Sequence, residues 1–131
     1  MRWEFHNDAP IYAQVTGRIK RMIVSGALGP GERLPAVRSF ALEAGVNPNT
    51  MQKALTELER GGLIYSQRTA GHFVTQEPGV IEQLREDLAD AQTRQYLNTM
   101  QGLGFSPEET ERRLLRQLKS EGSDAHVNSE L

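Results

Sequence analysis

The chain has 131 residues, of which 37% are hydrophobic and 24% are charged, a balance typical of one globular domain with a small appendage. It contains no cysteine, which excludes structural disulfides, thiol nucleophiles and cysteine-ligated zinc sites. No apolar run approaches the roughly 20 residues that cross a bilayer, and residues 1–8 lack the apolar core of a signal peptide. We therefore expect a cytoplasmic protein without a membrane partner.

The charge is unevenly distributed along the chain. Residues 1–76 contain 9 Lys/Arg and 6 Asp/Glu, a balance of +3, whereas residues 77–131 contain 6 and 11, a balance of −5. The two balances sum to the net charge of −2. A mildly basic N-terminal part permits a nucleic-acid-binding module, and an acidic C-terminal part indicates a module that contacts another partner.

A first helix is predicted between Asp8 and Gly26. Asp8 is expected to cap it, Pro10 suits its first turn, and Gly26 supplies the left-handed stop. A turn at residues 28–31 and a very short strand at residues 33–34 are expected to follow. The apolar stripe of this helix consists of Ile11, Val15, Ile19, Met22 and Ile23.

Two shorter helices joined by a tight turn come next. The first covers residues 36–44 and ends at Gly45, and the second starts at Asn47, a good N-cap followed by Pro48, and ends at residues 61–62. Two helices joined in this way are typical of a helix-turn-helix. The inward faces are Val37, Phe40 and Ala41 on the first, Val46 in the turn, and Met51, Ala54, Leu55 and Leu58 on the second.

A β-hairpin is predicted directly after these helices. Residues 63–67 and 72–75 are rich in β-branched and aromatic side chains, and residues 68–71 connect them. Tyr65 and Phe73 are expected in the core of this hairpin rather than as base-stacking groups. A helix-turn-helix followed by a hairpin is a winged helix.

The rest of the chain is predicted to be helical. Residues 77–79 break regular structure, a long helix covers residues 80–101, residues 102–104 turn the chain, and residues 106–109 begin a last helix. Residues 120–131 are small and polar, which predicts a disordered tail. The apolar residues of the two helices are Ile81, Leu84, Leu88, Ala91, Leu97 and Met100, then Leu114, Leu115 and Leu118.

The predicted fold class is therefore mainly α (α+β). An N-terminal winged helix-turn-helix covers residues 1–76, a two-helix hairpin covers 77–119, and the tail covers 120–131. A hairpin of about 40 residues buries its apolar stripe poorly, so it packs either within its own chain or against a second copy. We favour a homodimer through Ile81, Leu84, Leu88, Leu97, Met100, Leu114 and Leu118, because reading an operator usually requires two-fold symmetry. Trp3 and Phe5 belong either to a packed N-terminal arm or to that interface.

The segments 31–38 and 47–59 resemble the GntR family of bacterial regulators, and residues 61–65 and 71–74 extend the match over residues 9–75. The Pro-Ile-Tyr-Ala-Gln opening, the Asn-Pro-Asn-Thr turn and the short helical tail resemble its YtrA subfamily. That resemblance implies a dimer formed by two C-terminal helices, no large effector domain, and repression of operons that often include transporter genes.

The resemblance also implies which residues contact double-stranded DNA: Arg38, Asn47, Asn49, Thr50, Gln52 and Arg68, with Lys53 as a further phosphate contact. Two positions depart from the family. Pro48 replaces a common arginine, although proline here is itself YtrA-like, and Thr69 replaces a usual wing-tip glycine. We therefore expect sequence specificity to depend mainly on the recognition helix.

Side-chain chemistry supports these assignments and keeps simpler alternatives open. Asn and Gln can pair bidentately with adenine, and Thr can contact a thymine methyl or a phosphate. Arg68 at a hairpin tip suits a narrow minor groove, and Arg38 can reach a phosphate or a guanine edge. Asn47 is explained equally well as a helix cap, and Gln52 and Arg38 could be solvated surface residues.

No catalytic arrangement is evident. His6, His72 and His126 lie far apart without metal-ligand spacing, and no nucleophile or phosphate-loop motif occurs. The sequence thus predicts a non-enzymatic regulator, a repressor of a pseudo-palindromic operator, with no cofactor or metal. The alternative is a winged-helix protein-interaction module without a specific operator. The identity of any small-molecule effector is not specified.

Overall fold

The computed structural model describes residues 3–130, and the side chains of residues 3–122. The described chain confirms the predicted class, because it is mainly helical with one small antiparallel sheet. In chain order the elements are α1 (Ile11–Ser25), α2 (Val37–Ala44), α3 (Pro48–Arg60), β1 (Ile64–Gln67), β2 (Gly71–Val74), α4 (Pro78–Gly102) and α5 (Pro107–Glu130).

The N-terminal core lies where α1 and α2 pack against α3. Every residue predicted on the inward face of α3 is at most 1% exposed, and Phe40 of α2 is equally buried. Two residues of the predicted α1 stripe differ, since Ile11 in the first turn is 39% exposed and Met22 is only half-buried. The buried side chains are Val15, Ile19 and Ile23 of α1, Phe40, Ala41 and Ala44 of α2, and Met51, Ala54, Leu55 and Leu58 of α3.

The predicted cap of α1 by Asp8 is wrong. The N-cap residue is Pro10, with no side-chain cap hydrogen bond, and the Asp8 carboxylate contacts the His6 ring instead. Gln14 explains the difference, because its side-chain amide donates to the carbonyl oxygens of His6 (2.8 Å) and Ala9 (2.9 Å). These bonds hold the preceding chain against the outside of α1, so Asp8 does not reach the first helical N–H groups.

The turn between α2 and α3 forms as predicted. Gly45 adopts the left-handed conformation (φ 79°), and its N–H donates to the Ala41 carbonyl oxygen at 2.8 Å. The N–H of Val46 donates to the same oxygen at 2.9 Å, and the Val46 side chain is half-buried. These bonds fix the angle at which the chain enters α3.

The wing is the antiparallel pair β1–β2, in which Tyr65 lies opposite Phe73. Their rings stack with centroids 5.6 Å apart, which fits the predicted role in the wing core. The short strand predicted at residues 33–34 appears as an isolated bridge from Arg33 to Phe73. The Leu34 N–H also donates to the His72 carbonyl oxygen at 2.8 Å, so the segment before α2 is joined to the wing.

The chain divides into two units, one up to Glu86 and one from Asp87, with the division inside α4. In the second unit α4 and α5 do not pack along their length within the described residues. Their joined ends bury Met100 and Thr110, which are 7% and 4% exposed. The domain limits expected from the sequence, at residues 76 and 119, stay predictions.

The predicted start of α5 is confirmed by a capping box. The Ser106 N–H donates to Glu109 Oε1 at 2.9 Å, and the Glu109 N–H donates to Ser106 Oγ at 3.1 Å. The first of these bonds lowers the pKa of the Glu109 carboxyl, because it favours the charged form. The helix continues to Glu130, whereas the sequence predicts a disordered tail from residue 120. A helix can extend into this segment because lengthening a formed helix costs less free energy than starting a new one. Leu131 lies outside the described residues.

Candidate nucleic-acid interface

Helix α3 presents one polar face that the core does not use. Asn49, Gln52, Lys53 and Thr56 are exposed and Thr50 is half-buried, all on the sides of α3 away from its buried residues. An α-helix with 3.6 residues per turn brings positions 49, 52, 53 and 56 onto adjacent turns of one face. This face can enter a major groove and offer amide, hydroxyl and ammonium groups to base edges and phosphates.

Asn47 caps the start of α3, which is one of the two roles predicted for it. Its backbone is extended (φ −66°, ψ 141°), and its side-chain oxygen accepts a hydrogen bond from the Asn49 N–H at 2.8 Å. Pro48 occupies the first helical position, where it has no N–H to satisfy. The Asn47 side-chain NH₂ group is not used by the cap, so a DNA contact by that group stays a prediction.

Gln52 is exposed at the centre of the polar face. Its Nε2 lies 3.4 Å from Thr56 Oγ1, a long and weak contact, while the Thr56 hydroxyl donates to the Gln52 carbonyl oxygen at 2.9 Å. The side-chain amide of Gln52 is therefore not held by a strong hydrogen bond. It can reorient toward a base at small cost.

Lys53 is placed by a contact between helices that the sequence did not reveal. Its Nζ lies 3.9 Å from the centroid of the Tyr12 ring on α1, within cation–π range. The ring covers one side of the ammonium group and restricts the lysine side chain. The phosphate contact of Lys53 stays a prediction; the restricted side chain lowers the ordering cost that such a contact would carry.

Arg38 and Arg68 are exposed cations on two other elements. Arg38 is the second residue of α2, and Arg68 lies in the turn between the strands of the wing. Among the described residues no carboxylate forms an ion pair with Arg38, Lys53 or Arg68. Their charges are therefore not neutralised by any carboxylate of the described residues and can meet phosphates.

The wing tip accommodates Thr69 without backbone strain. Apart from glycines, no residue in the described part of the chain has a positive φ, and the tip is closed by a hydrogen bond from the Ala70 N–H to the Gln67 carbonyl oxygen at 3.0 Å. The departure at Thr69 thus adds a side chain at the tip and does not distort the turn.

Two residues of this surface were missed by the sequence reasoning. Thr56 lies four residues after Gln52, so helical spacing alone could have placed it on the polar face. Tyr12 could not have been found in this way, because its contact with Lys53 depends on how α1 crosses α3. The structure brings Gln52, Lys53 and Thr56 onto one face, with Arg38 and Arg68 on separate elements of the same unit.

Comparison with known proteins places this architecture in a family. A family model described as "Bacterial regulatory proteins, gntR family" matches residues 11–74. The regulator YhcF of Bacillus subtilis is 33% identical over 106 residues, which cover 81% of this chain and 88% of YhcF. The chain belongs to the GntR family. The repressor YtrA of Bacillus subtilis is 39% identical over 70 residues, 53% of this chain and 54% of YtrA, in agreement with the predicted YtrA-like resemblance.

Two solved structures of other proteins are similar to this fold. A GntR family transcriptional regulator from Listeria monocytogenes superimposes with a TM-score of 0.77 at 34% identity, over 88% of this chain and 98% of that one. The DNA-binding domain of AraR in complex with operator ORX1 gives 0.52 at 30% identity, over 57% of this chain and 99% of that domain. The protein is therefore a GntR-type transcriptional regulator with a DNA-binding domain, and not an enzyme.

Other site types find no support within the described residues. No three His, Asp or Glu side chains are grouped to hold a metal ion. No helix in the described part of the chain has the length and apolarity needed to span a membrane. His126 lies outside the residues whose side chains are described.

Proposed function

We propose that this GntR regulator is a repressor that binds a pseudo-palindromic operator as a homodimer. The observation that carries the proposal is the polar face of α3, whose residues Asn49, Gln52 and Lys53 are exposed and contribute nothing to the core. Similarity to the repressor YtrA and to an operator-bound AraR domain supports both DNA as the partner and repression as the outcome.

The chemistry of each side chain determines which part of the DNA it contacts. Gln52 and Asn49 read base edges, since side-chain amides pair bidentately with adenine. Arg38, Lys53 and the NH₂ group of Asn47 position the helix on phosphates, and Thr50 contacts a thymine methyl or a phosphate. Arg68 enters the minor groove from the wing.

The second copy is expected on the exposed leucines of the C-terminal helices. Leu97, Leu114 and Leu118 are 48%, 40% and 57% exposed, and Leu115 beside them is 51% exposed. Leu114, Leu115 and Leu118 lie within four residues of one another on α5, and exposed apolar side chains grouped in this way mark a protein interface. Ile81 and Leu88 are half-buried, whereas Leu84 and Met100 are buried within the protomer, so the leucines of α5 contribute most of the new contact.

Charge on these helices supports the same partner. Residues 112–119 of α5 include Arg112, Arg113, Arg116 and Lys119, whereas α4 contributes Asp87 and Asp90 to its unit. A basic stretch on one copy can face an acidic stretch on another, which aligns the helices without adding much affinity.

A binding experiment with three duplexes tests the proposal. Labelled DNA from upstream of the protein's own gene, the same DNA cut to one half-site, and a scrambled duplex are titrated in fluorescence polarisation at ~150 mM salt. We expect at least ~1,000-fold preference of the full site over scrambled DNA, with two protomers bound. Equal weak binding to all three duplexes would favour a protein-interaction module and refute the operator. The prediction that the operator controls transporter genes is checked by reading which genes follow this upstream region.

A further inference from the structure

The N-terminal arm, residues 3–9, is fixed to the first unit at two places. At one end the Trp3 N–H donates to the Ala44 carbonyl oxygen at 3.2 Å. At the other, the His6 N–H donates to Gln14 Oε1 at 3.0 Å, and Gln14 Nε2 donates back to the His6 carbonyl oxygen at 2.8 Å. The arm is therefore ordered on both sides of Glu4 and Phe5, and the space beneath it is defined.

A cavity of about 250 Å³ lies between this arm and α1. We call it the arm cleft, and its floor is formed by Ala13 and Gly17, one turn apart on α1. Because these two residues have the smallest side chains, the arm crosses α1 without filling the space. Trp3 and Phe5 of the arm supply aromatic walls. The volume is below that of sites for drug-sized ligands, so it suits a small molecule.

Two guanidinium groups also line the arm cleft. Arg18 lies with its guanidinium carbon 5.3 Å from the centroid of the Trp3 ring, and Arg21 follows one turn later on α1. Glu4 is the one carboxylate among the lining residues, so the formal charge of the lining is +1 with His6 neutral. Arginine binds carboxylates through two parallel hydrogen bonds, and aromatic walls accept a planar ring.

From this combination we propose that the arm cleft is a binding site for a small aromatic carboxylate. The carboxylate is held by Arg18 and Arg21, and the ring lies against Trp3 and above Gly17. The site is on the side of α1 away from DNA, since five residues at about 100° each separate Gly17 from Tyr12, which contacts α3. The binding proposal therefore does not depend on the proposed operator.

Occupancy of the arm cleft has a route to the recognition helix. The Trp3 ring meets Phe40 of α2 edge-to-face, with centroids 5.6 Å apart, and Phe40 is 1% exposed. Ala44, which bonds the Trp3 N–H, is the last residue of α2 before the turn into α3. A ligand that moves Trp3 thus acts on the packing of α2, and we expect it to change operator affinity; this regulatory step rests on the proposed function.

Trp3 makes the binding step directly measurable, because it is the one tryptophan in the chain. Intrinsic fluorescence of the full-length protein is titrated with benzoate and, separately, with its neutral analogue benzamide. We expect a saturable change with benzoate and at least tenfold weaker binding of benzamide, which lacks the charge that the arginines recognise. No saturable change with benzoate, or an equal response to both compounds, would refute the site.

Two variants and a control test the location. Gly17→Leu fills the floor of the cleft at a half-buried position of α1, where an added Cβ meets Arg21 Nη1 at an ordinary 3.6 Å. Leucine also favours a helix more than glycine, so this variant is expected to fold, as circular dichroism checks. We expect Gly17→Leu to abolish the benzoate response and Arg21→Ala to weaken it about tenfold, whereas Lys20→Ala, which does not line the cleft, leaves it unchanged. An unaltered response in Gly17→Leu would place the ligand elsewhere.

The regulatory step is read separately from binding. Operator affinity is measured by polarisation with and without saturating benzoate, in the wild type and in Gly17→Leu. We expect a change of at least threefold in the wild type that is absent from Gly17→Leu. A saturating Trp3 response with unchanged operator affinity would overturn the regulatory step and leave the binding site, whereas loss of all DNA preference would count against the proposed function alone.

Discussion

Replacing Gln52 by alanine is expected to remove base preference while leaving the fold intact. Gln52 is exposed on α3 and makes one long side-chain contact, 3.4 Å to Thr56 Oγ1, so its removal should change stability little. A bidentate contact between a side-chain amide and adenine contributes ~1–3 kcal/mol of discrimination, which corresponds to roughly 5–150-fold in affinity at 25 °C. Because each protomer of the dimer loses this contact, we expect a loss in this range for each half-site of the best operator and almost none on scrambled DNA.

Lys53→Ala is the matched comparison, because it changes the neighbouring residue on the same face. A phosphate contact carries no sequence information, so affinity should fall for all duplexes by a similar factor. Each phosphate contact contributes about 0.9 to the slope of log K against log salt, so the loss of one contact from each protomer of a dimer should reduce the slope by ~1.8. Arg38→Ala should behave in the same way.

Both effects are measured by polarisation titrations of the operator and of its single-base variants between about 50 and 200 mM salt. The two variants should differ in kind, one in base preference and the other in salt dependence. If Gln52→Ala lowered affinity equally for operator and scrambled DNA, or if Lys53→Ala lost preference at one base pair without a change of salt slope, the assigned roles would be wrong.

Three further predictions concern the dimer and the helix ends. Leu118→Glu should convert the dimer to a monomer in size-exclusion chromatography with light scattering, whereas Leu42→Glu, at a more exposed leucine (73% against 57%), should not. Asn47→Ala should lower the free energy of unfolding by ~1 kcal/mol in urea titrations through loss of the cap, whereas Asn47→Asp should retain most of it. Since the pKa of Glu109 is lowered in the fold, its contribution to stability is present above the ordinary glutamate pKa and should disappear as pH falls through the lowered value. Thermal melts of wild type and Glu109→Gln, which lacks the titrating carboxylate, should therefore converge at low pH, and a constant difference would refute the contribution of Glu109.

The helices could be predicted from the sequence because their limits depend on near neighbours. Asn47 and Pro48 at the start of α3, and Ser106 with Glu109 at the start of α5, satisfy helix ends with residues at most three positions apart. The predicted cap by Asp8 was wrong because the chain before α1 does not follow rules based on near neighbours. The chain before α1 is held by Gln14, eight residues after His6, and a local rule about capping residues does not include that bond.

Only the part of the site that lies on one face of α3 could be predicted from the sequence. Helical spacing identifies Asn49, Gln52 and Lys53 as outside the core, but it does not show that Lys53 lies over Tyr12. That contact depends on the crossing of α1 and α3, which is determined by the packing of residues such as Ile19 and Leu55. For the same reason the arm cleft has no sequence signature: Gly17 and Ala13 look like ordinary helix residues until the arm is placed above them.

Some residues of the candidate interface have no structural role, and these residues point most directly to DNA binding. Asn47 caps α3 and Lys53 lies over Tyr12, so each would be explained even if the protein bound nothing. Asn49 and Arg68 have no such explanation: both side chains are exposed and contribute nothing to the core. Their replacement by alanine should therefore leave the free energy of unfolding within about 0.5 kcal/mol of the wild type while weakening operator binding. If stability and DNA affinity fell together in these variants, a structural role would account for both residues.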